Sequence, residues 1–339
     1  MENGVLVFNS YNNLYNLGDY IQSLAILQFI EGDVKFINRE RLDEYIGDPI
    51  KLSMNSWFLH EPVHWPPSNH IEPLFISFHL NSDAYEVLDD AASIDYFKKY
   101  QAIGCRDITT RNLLLEKGVN AYFSGCLTLT LGEKYKSKEK TDNIYFVDPY
   151  FQINRDVFSI AKYIFMIVTN YRKIRKICKL MFNILSIKSI VKTASFYKYY
   201  VKIFDSEVLE TAIYLNHLAY DFNITCEIDK FNLAINLLSK YSTAKFVVTS
   251  RLHCALPCVG FETPVLYIEN INQELSSYCR LDGLRELLHV IKYDNGKMEL
   301  PFYNLGIQKI TLNTIFNNKQ DYLVLKEKLI LKCRNFFKS

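Results

Sequence analysis

The sequence predicts an α/β protein of two doubly wound units facing a common cleft. Length is the first reason: 339 residues exceed what one hydrophobic core commonly organises. The second is an alternation of short apolar runs with helical patterns through the first half, which predicts a mostly parallel sheet. The third is the return of that alternation in the last third, after a stretch of different character.

The elements follow in order. "GVLVFNS" reads as a strand, and "DYIQSLAILQFI" as a helix, with apolar residues at 21, 24, 25, 27, 29 and 30. "VKFIN", "PLFISFHL" and "YQAIGCRD" are further strands. "TTRNLLLEKG" is a helix with Thr109 near its start and Gly118 at its stop. "AYFSG" and "NIYFVD" continue the series. In the last third, "KFNLAINLLSKYSTA" and "HCALPCVG" read as helical, and "KFVVTS", "PVLYIEN" and "HVIKY" as strands. "QDYLVLKEKLILKCRNFF" reads as a closing helix. These patterns divide the chain into an N-terminal unit, 1–150, a linking insertion, 151–225, and a C-terminal unit, 226–339. The closing helix, 320–337, would pack back on the first unit.

Composition narrows the function classes. An apolar fraction of 49%, with 23 Phe and 24 Tyr, supports large cores rather than disorder. Net charge is +2, so a whole-protein nucleic-acid footprint is not expected. The start lacks a basic region before a long apolar core, and no run of 18 apolar residues occurs. The eight cysteines form no CxxC and no zinc-ligand pattern, which points to reduced, mostly buried thiols in a cytoplasmic protein.

Residues 157–204 stand apart, with ten Lys or Arg and no acid. At the centre, Ile174, Ile177, Cys178, Met181, Ile184 and Leu185 fall on one helical face, and Arg172, Lys173, Arg175, Lys176 and Lys179 mostly on the other. Such a helix could lie on an anionic membrane surface, placing the protein at the inner face of the cell membrane. It could equally bridge the two units with a solvated basic face.

In open parallel sheets ligands bind beyond the carboxyl ends of the strands. The polar residues there are Asn16, Gly18 and Asp19, then His79, then Arg106 and Asp107. Ser124, Gly125 and Asp148 follow, and then Ser250, Arg251, His253, Glu269 and Asn270. "CRLDGLREL" could add Arg280. Arginine matches carboxylate and phosphate oxygens, and histidine exchanges protons near neutrality. Arg251 and His253 also precede a helix, whose free N–H groups favour an anion. The set suits a small anion undergoing proton-coupled transfer. No residue pattern suggests a metal, and no glycine-rich phosphate loop occurs. Plain structural roles stand beside these: a strand-end ion pair for Arg106 and Asp107, a core histidine for His79, a helix cap for Asp19, a turn for Gly18.

Four blocks together resemble the polysaccharide pyruvyl transferase family: "NLGDYIQSLA", "AIGCRDITT", "AYFSGCLTLTL" and "TSRLHCALPCVGFETPVLYI". The segment 150–225 carries little of the resemblance. The resemblance implies two Rossmann-like domains in a GT-B-like arrangement, with phosphoenolpyruvate as co-substrate and no other cofactor. It implies a sugar acceptor, often a hexose ketalised at its 4 and 6 hydroxyls, in a surface polysaccharide such as capsule or exopolysaccharide, or its lipid-linked precursor. Carried over, Arg251 and His253 match the donor-site arginine and histidine, with His253 as the acid. Arg106 faces the same cleft, with Ser250 and Gly125 on the donor side. Asn16, Gly18, Asp19 and Gln22 match the N-terminal block. A base for the sugar hydroxyl would come from His79, Asp19 or Glu269, with Asn270 and Arg280 near the acceptor. Two alternatives remain: a nucleotide-sugar glycosyltransferase on the same fold, with Glu269 on the ribose, and a non-catalytic glycan-binding protein at the membrane surface.

Overall fold

The computed structural model describes every residue except 11–13, 59–60, 221–223, 225, 273–278, 303–306 and 339, and of residues 82 and 83 the backbone alone. The chain opens with β1 (Glu2–Val7), the short β2 (Leu14–Asn16) and helix α1 (Leu17–Leu27). β3 (Val34–Asn38) and β4 (Ile50–Ser53) flank β1, and the sequence reading did not foresee β4. β5 (Trp57–Phe58) continues it, followed by β6 (Ile71–Leu74) and β7 (His79–Leu80). The sheet β3-β1-β4-β6 is wholly parallel, and β5 pairs with β7 in the same sense.

The expected single strand "PLFISFHL" is therefore two. The chain breaks between them where Ser77 adopts a left-handed φ of 53°. This break swings His79 out of the sheet and toward its carboxyl edge. After α2 (Ala91–Lys99), a bridge between Phe78 and Cys105 brings in β8 (Ile103–Cys105). α3 (Ile108–Glu116), β9 (Ala121–Phe123) and the one-turn helix α4 (Gly132–Tyr135) complete the first half, with β8 and β9 parallel.

The second sheet holds β10 (Ile144–Val147), β11 (Ile213–Leu215), β13 (Phe246–Thr249), β14 (Val265–Asn270), β15 (His289–Asp294) and β16 (Lys297–Glu299). Its order is β11-β10-β13-β14-β15-β16, parallel except for the final hairpin. β10 and β13 are buried at every position, which explains why both read as unbroken apolar runs rather than alternations. β10 thus corrects the sequence reading, which placed "NIYFVD" with the first half. β11, inside the expected insertion, likewise belongs to this sheet.

Between β10 and β11 run α5 (Val157–Thr169), α6 (Tyr171–Phe182), α7 (Ile187–Tyr200) and α8 (Ser206–Thr211). Ile174, Ile177 and Cys178 of α6 are buried, and the two isoleucines join the core on this face of the second sheet, so the apolar face of the basic helix turns inward. Of the eight cysteines, six are buried and none is paired in a disulfide. Among the described residues no helix is long and apolar enough to cross a membrane.

Three features join the sheets. β12 (Leu218–Tyr220) pairs antiparallel with β2. α9 (Glu227–Thr243) lies on α1, where Tyr20 donates to Glu227 Oε2 at 2.9 Å and packs edge-on against Phe231. The third joint is the fully buried turn Leu127–Thr130, which meets α10 (Leu252–Gly260). There Gly260 has no room for a side chain, because a Cβ would collide with the carbonyl of Leu129. The closing helix Tyr322–Lys338 covers the same joint: Lys326 and Arg334 reach Glu133, and Lys51 donates to the Phe336 carbonyl at 2.8 Å.

Gly260→Ala must push two backbone segments apart. It should lower stability by about 1–3 kcal/mol, read as a fall in the thermal midpoint.

Candidate functional site

The carboxyl ends of both sheets open on one cavity of about 260 Å³. Its first wall is the start of α1. Asn16 caps that helix by accepting from the Gly18 N–H at 3.1 Å. Gly18 is a close approach: a Cβ there would touch Asn16, His217 and His253 at 3.1–3.4 Å. Asp19 faces the cavity, and Gln22 donates to it at 3.2 Å from behind.

The second wall comes from β7 and β8. His79 Nδ1 lies 2.6 Å from Asp107 Oδ2. A carboxylate only accepts, so Nδ1 carries the proton and Nε2 keeps the lone pair. Asp107 also caps α3 through the Thr110 N–H at 2.8 Å. Next to it Arg106 is almost wholly buried, and its Nε has no hydrogen-bond partner among the described residues. Asp107 beside it and Asp19 in the same cavity supply opposite charge, but neither accepts from that Nε, and the guanidinium lines the cavity.

The third wall is the turn from β13 into α10. Ser250 Oγ donates to the Asp148 carbonyl at 2.5 Å. Arg251 Nε donates to Asp148 Oδ2 at 2.8 Å, and the same oxygen accepts the backbone N–H of His217 at 3.0 Å. Asp148 sits at a left-handed φ of 41° to do this. His253 opens α10 with φ −80° and ψ 15°, off the helical values. The cause is legible four residues on: Pro257 has no N–H for the His253 carbonyl, and its ring crowds that oxygen. The proline thereby turns His253 toward the cavity, where its Nε2 is sealed from solvent without a hydrogen-bond partner among the described residues.

The electrostatics follow from this crowding. Burial pushes the His79 imidazole down to about 4, helped by Arg106 and partly opposed by Asp107. Burial also carries His253 well below the usual histidine range, with Arg106, His217, Arg280 and His79 adding to the effect. Burial works to raise the Asp107 carboxyl, but the His79 hydrogen bond and the charges of His79 and Arg106 outweigh it, and the group stays ionised. Both histidines are therefore neutral near pH 7 in an otherwise cationic cavity.

A second cavity of about 500 Å³ adjoins the first and shares Ser250, Arg251 and Arg280 with it. Tyr150, Phe151 and Tyr267 give it aromatic walls, and Glu269 and Asn270 line its edge. Glu269 is tied to Arg285 at 2.7 Å, and Asn270 donates to the Tyr150 hydroxyl at 3.0 Å.

Of the residues expected from sequence, Asn16, Gly18, Asp19, His79, Arg106, Ser250, Arg251, His253 and Arg280 line the first cavity, and Glu269 and Asn270 the second. Gln22 and Gly125 line neither. Gly125 sits at φ +71° against Leu325 of the closing helix, and Ser124 accepts from the Ser77 N–H at 3.0 Å, so that block is a joint. His217, Trp57 and Asn81 line the first cavity unforeseen. His217 follows β11 directly, and recognising that strand is the signal that would have found it; its Nε2 lies 2.8 Å from the Tyr241 hydroxyl.

Parallel sheets whose carboxyl ends meet at one cavity lined by three arginines define an α/β protein with its candidate site where such sheets bind ligands. Residues 91–272 match the family model for polysaccharide pyruvyl transferase. The match covers more than half of the chain, which therefore belongs to that family, one of transferases in polysaccharide biosynthesis. It takes in Arg106, His217, Arg251 and His253, while Asn16–Gln22, His79 and Arg280 lie outside it. No curated protein matches the chain.

The cavity predicts a pH signature. An unfolded histidine takes up a proton below about 6.5, whereas folded His79 resists until about 4. The unfolded chain then binds more protons, so stability is full above 6.5 and is lost as pH falls toward 4. In unliganded protein the thermal midpoint should fall between pH 6.5 and 5, ahead of most carboxylates, and His79→Gln should flatten that fall.

Proposed function

We propose that this protein transfers the pyruvyl group of phosphoenolpyruvate onto two hydroxyls of one sugar, forming a cyclic ketal and releasing phosphate. The observation that carries this reading is the buried Arg106, its Nε without a hydrogen-bond partner among the described residues, close to a neutral His253. A doubly anionic donor answers both. Its phosphate and carboxylate give Arg106, Arg251 and Arg280 the oxygens they match. Burial keeps His253 deprotonated with Arg106 and Arg280 adding to it, and the donor's charge offsets those cations and favours the protonated imidazole.

His253 then delivers a proton to the methylene carbon, which becomes the ketal methyl. The central carbon gains oxocarbenium character and one sugar hydroxyl adds to it. The bond to the phosphate oxygen breaks, phosphate departs with the electron pair, and the second hydroxyl closes the ring. Two hydroxyl protons are released in all; one restores His253 and the other leaves with phosphate. Among the base candidates His79 is best suited, since Asp107 fixes its proton on Nδ1 and leaves Nε2 to accept. Glu269 is held by Arg285. The adjoining cavity, with its aromatic walls, suits the sugar, a hexose taken at its 4 and 6 hydroxyls within a surface polysaccharide or its lipid-linked precursor. The two sheets would form the two domains of a GT-B-like arrangement. The nucleotide-sugar alternative needs an available acid for its ribose, and Glu269 is already held by Arg285.

Incubation with phosphoenolpyruvate and aryl hexosides, followed by phosphate assay and mass detection, tests the reading. Phosphate release with a ketal adduct is expected. His253→Gln should lower kcat by about a hundredfold or more, and Arg251→Ala should raise the donor KM about tenfold or more. Release of a nucleoside diphosphate from a nucleotide sugar, with phosphoenolpyruvate inert, would sink it.

Arg106→Met gives a separate test. Replacing a buried guanidinium whose Nε finds no acceptor among the described residues should hold or raise the thermal midpoint while abolishing donor binding. A large loss of stability would mean that Arg106 is structural.

A further inference from the structure

We propose that α5 seats this protein on an anionic lipid bilayer, lying in the plane of the headgroups. The inference starts from a helix whose faces are reversed. Ser159 and Tyr163 point inward, where the Tyr163 hydroxyl accepts from the Asn154 N–H at 3.1 Å and meets Ser195 Oγ at 3.2 Å. The outward face carries Val157, Phe158, Ile164, Phe165 and Val168, exposed by 79%, 81%, 57%, 66% and 74%. At 3.6 residues per turn these five fall within an arc of roughly 120°. Surface helices of globular proteins show the opposite pattern, and a contiguous apolar stripe of this kind marks a surface that something covers.

Charge selects the occupant. The stretch 157–204 carries ten Lys or Arg and no acid, with Lys162 on α5 itself. Glu210 of α8 faces Lys176 at 3.9 Å and offsets α6 only in part. A second copy of the chain on this stripe would bring two basic units together. An anionic bilayer receives the apolar side chains and attracts the cations at the same time. Ile184 and Ile187, exposed by 66% and 84% at the α6–α7 turn next to Lys188, extend the apolar surface of the same helical unit.

The stripe is also tied to the second cavity. Ser195 Oγ donates to the Gln152 carbonyl and the Tyr200 hydroxyl to the Tyr150 carbonyl, both at 2.7 Å. The segment 150–154, which includes two walls of that cavity, is thus fastened to α5 and α7. Docking would present the cavity to an acceptor held in the bilayer; this last step alone rests on the pyruvyl-transfer reading.

Co-sedimentation of the full chain with phosphatidylcholine vesicles, with and without phosphatidylglycerol, tests the docking. Binding is expected to vesicles containing phosphatidylglycerol and to weaken with salt. Phe158→Ser with Phe165→Ser should lower partitioning at least about tenfold, and Lys162→Glu by about fivefold for each unit of charge changed. Both variants should keep the wild-type melting temperature and full turnover of a soluble aryl hexoside. Negligible binding to both vesicle types overturns the proposal. So does undiminished binding by the double serine variant, or a dimer that this variant dissociates in the absence of vesicle binding. Vesicle binding without pyruvyl transfer to any acceptor leaves the docking standing and removes the transfer reading.

Discussion

Arg106 sets the terms for the rest of the site. A guanidinium in the wall of a protein needs an anion nearby, since desolvation weighs heavily against an uncompensated charge. The neighbouring carboxylate, Asp107, is held by His79 and by the start of α3. Asp148, across the cavity, is held by Arg251 and the His217 backbone. Asp19 joins Arg106, Arg251 and Arg280 in the lining, and burial, with Arg106 and Arg280 adding to it, keeps both histidines neutral. An arrangement of this kind requires the surrounding fold to be stiff enough to hold the buried guanidinium in place.

The stiffness comes from the joints between the sheets. The β2–β12 ribbon places Asn16 and His217 side by side, and the Leu17 N–H reaches the His217 carbonyl at 2.9 Å. The buried turn at Leu127–Thr130 meets α10 so closely that Gly260 carries no side chain. α10 is thereby anchored at its far end, while Pro257 kinks its near end and turns His253 to the cavity. One short helix therefore couples the packing between the sheets to the orientation of a single imidazole.

Much of this was legible in the sequence, and the gaps have physical causes. Fully buried parallel strands such as β13 and β14 announce themselves as apolar runs, so the turns after them could be searched for polar residues. That search found Arg106, Arg251 and His253. β4 escaped because it is four residues long and includes Lys51, whose ammonium is satisfied by the Phe336 carbonyl nearly three hundred residues later. β11 escaped for the same reason of length, and His217 was lost with it. β10 was recognised as a strand but assigned to the wrong partners, because pairing is decided by tertiary contacts that a local apolar run does not encode. Gly125 looked like a phosphate-side glycine, yet its left-handed backbone serves a turn against the closing helix.

The helices between β10 and β11 make the same point about sidedness. Periodicity reveals that a helix has an apolar face; it does not say where that face points. α6 has the pattern expected of a surface-seeking basic helix, and its isoleucines are in the core. α5 lacks that appearance, since its polar residues are few, and on its inner side the Tyr163 hydroxyl accepts from the Asn154 N–H and meets Ser195 of α7. Its apolar residues are consequently left outside. The reversal follows from what lies beneath: the backbone of the segment 150–154 offers N–H and C=O groups that need partners, so a helix laid over it is bound by hydroxyls rather than by methyl groups. An apolar outer face is the consequence of a polar inner one, and it lies within a stretch of basic composition.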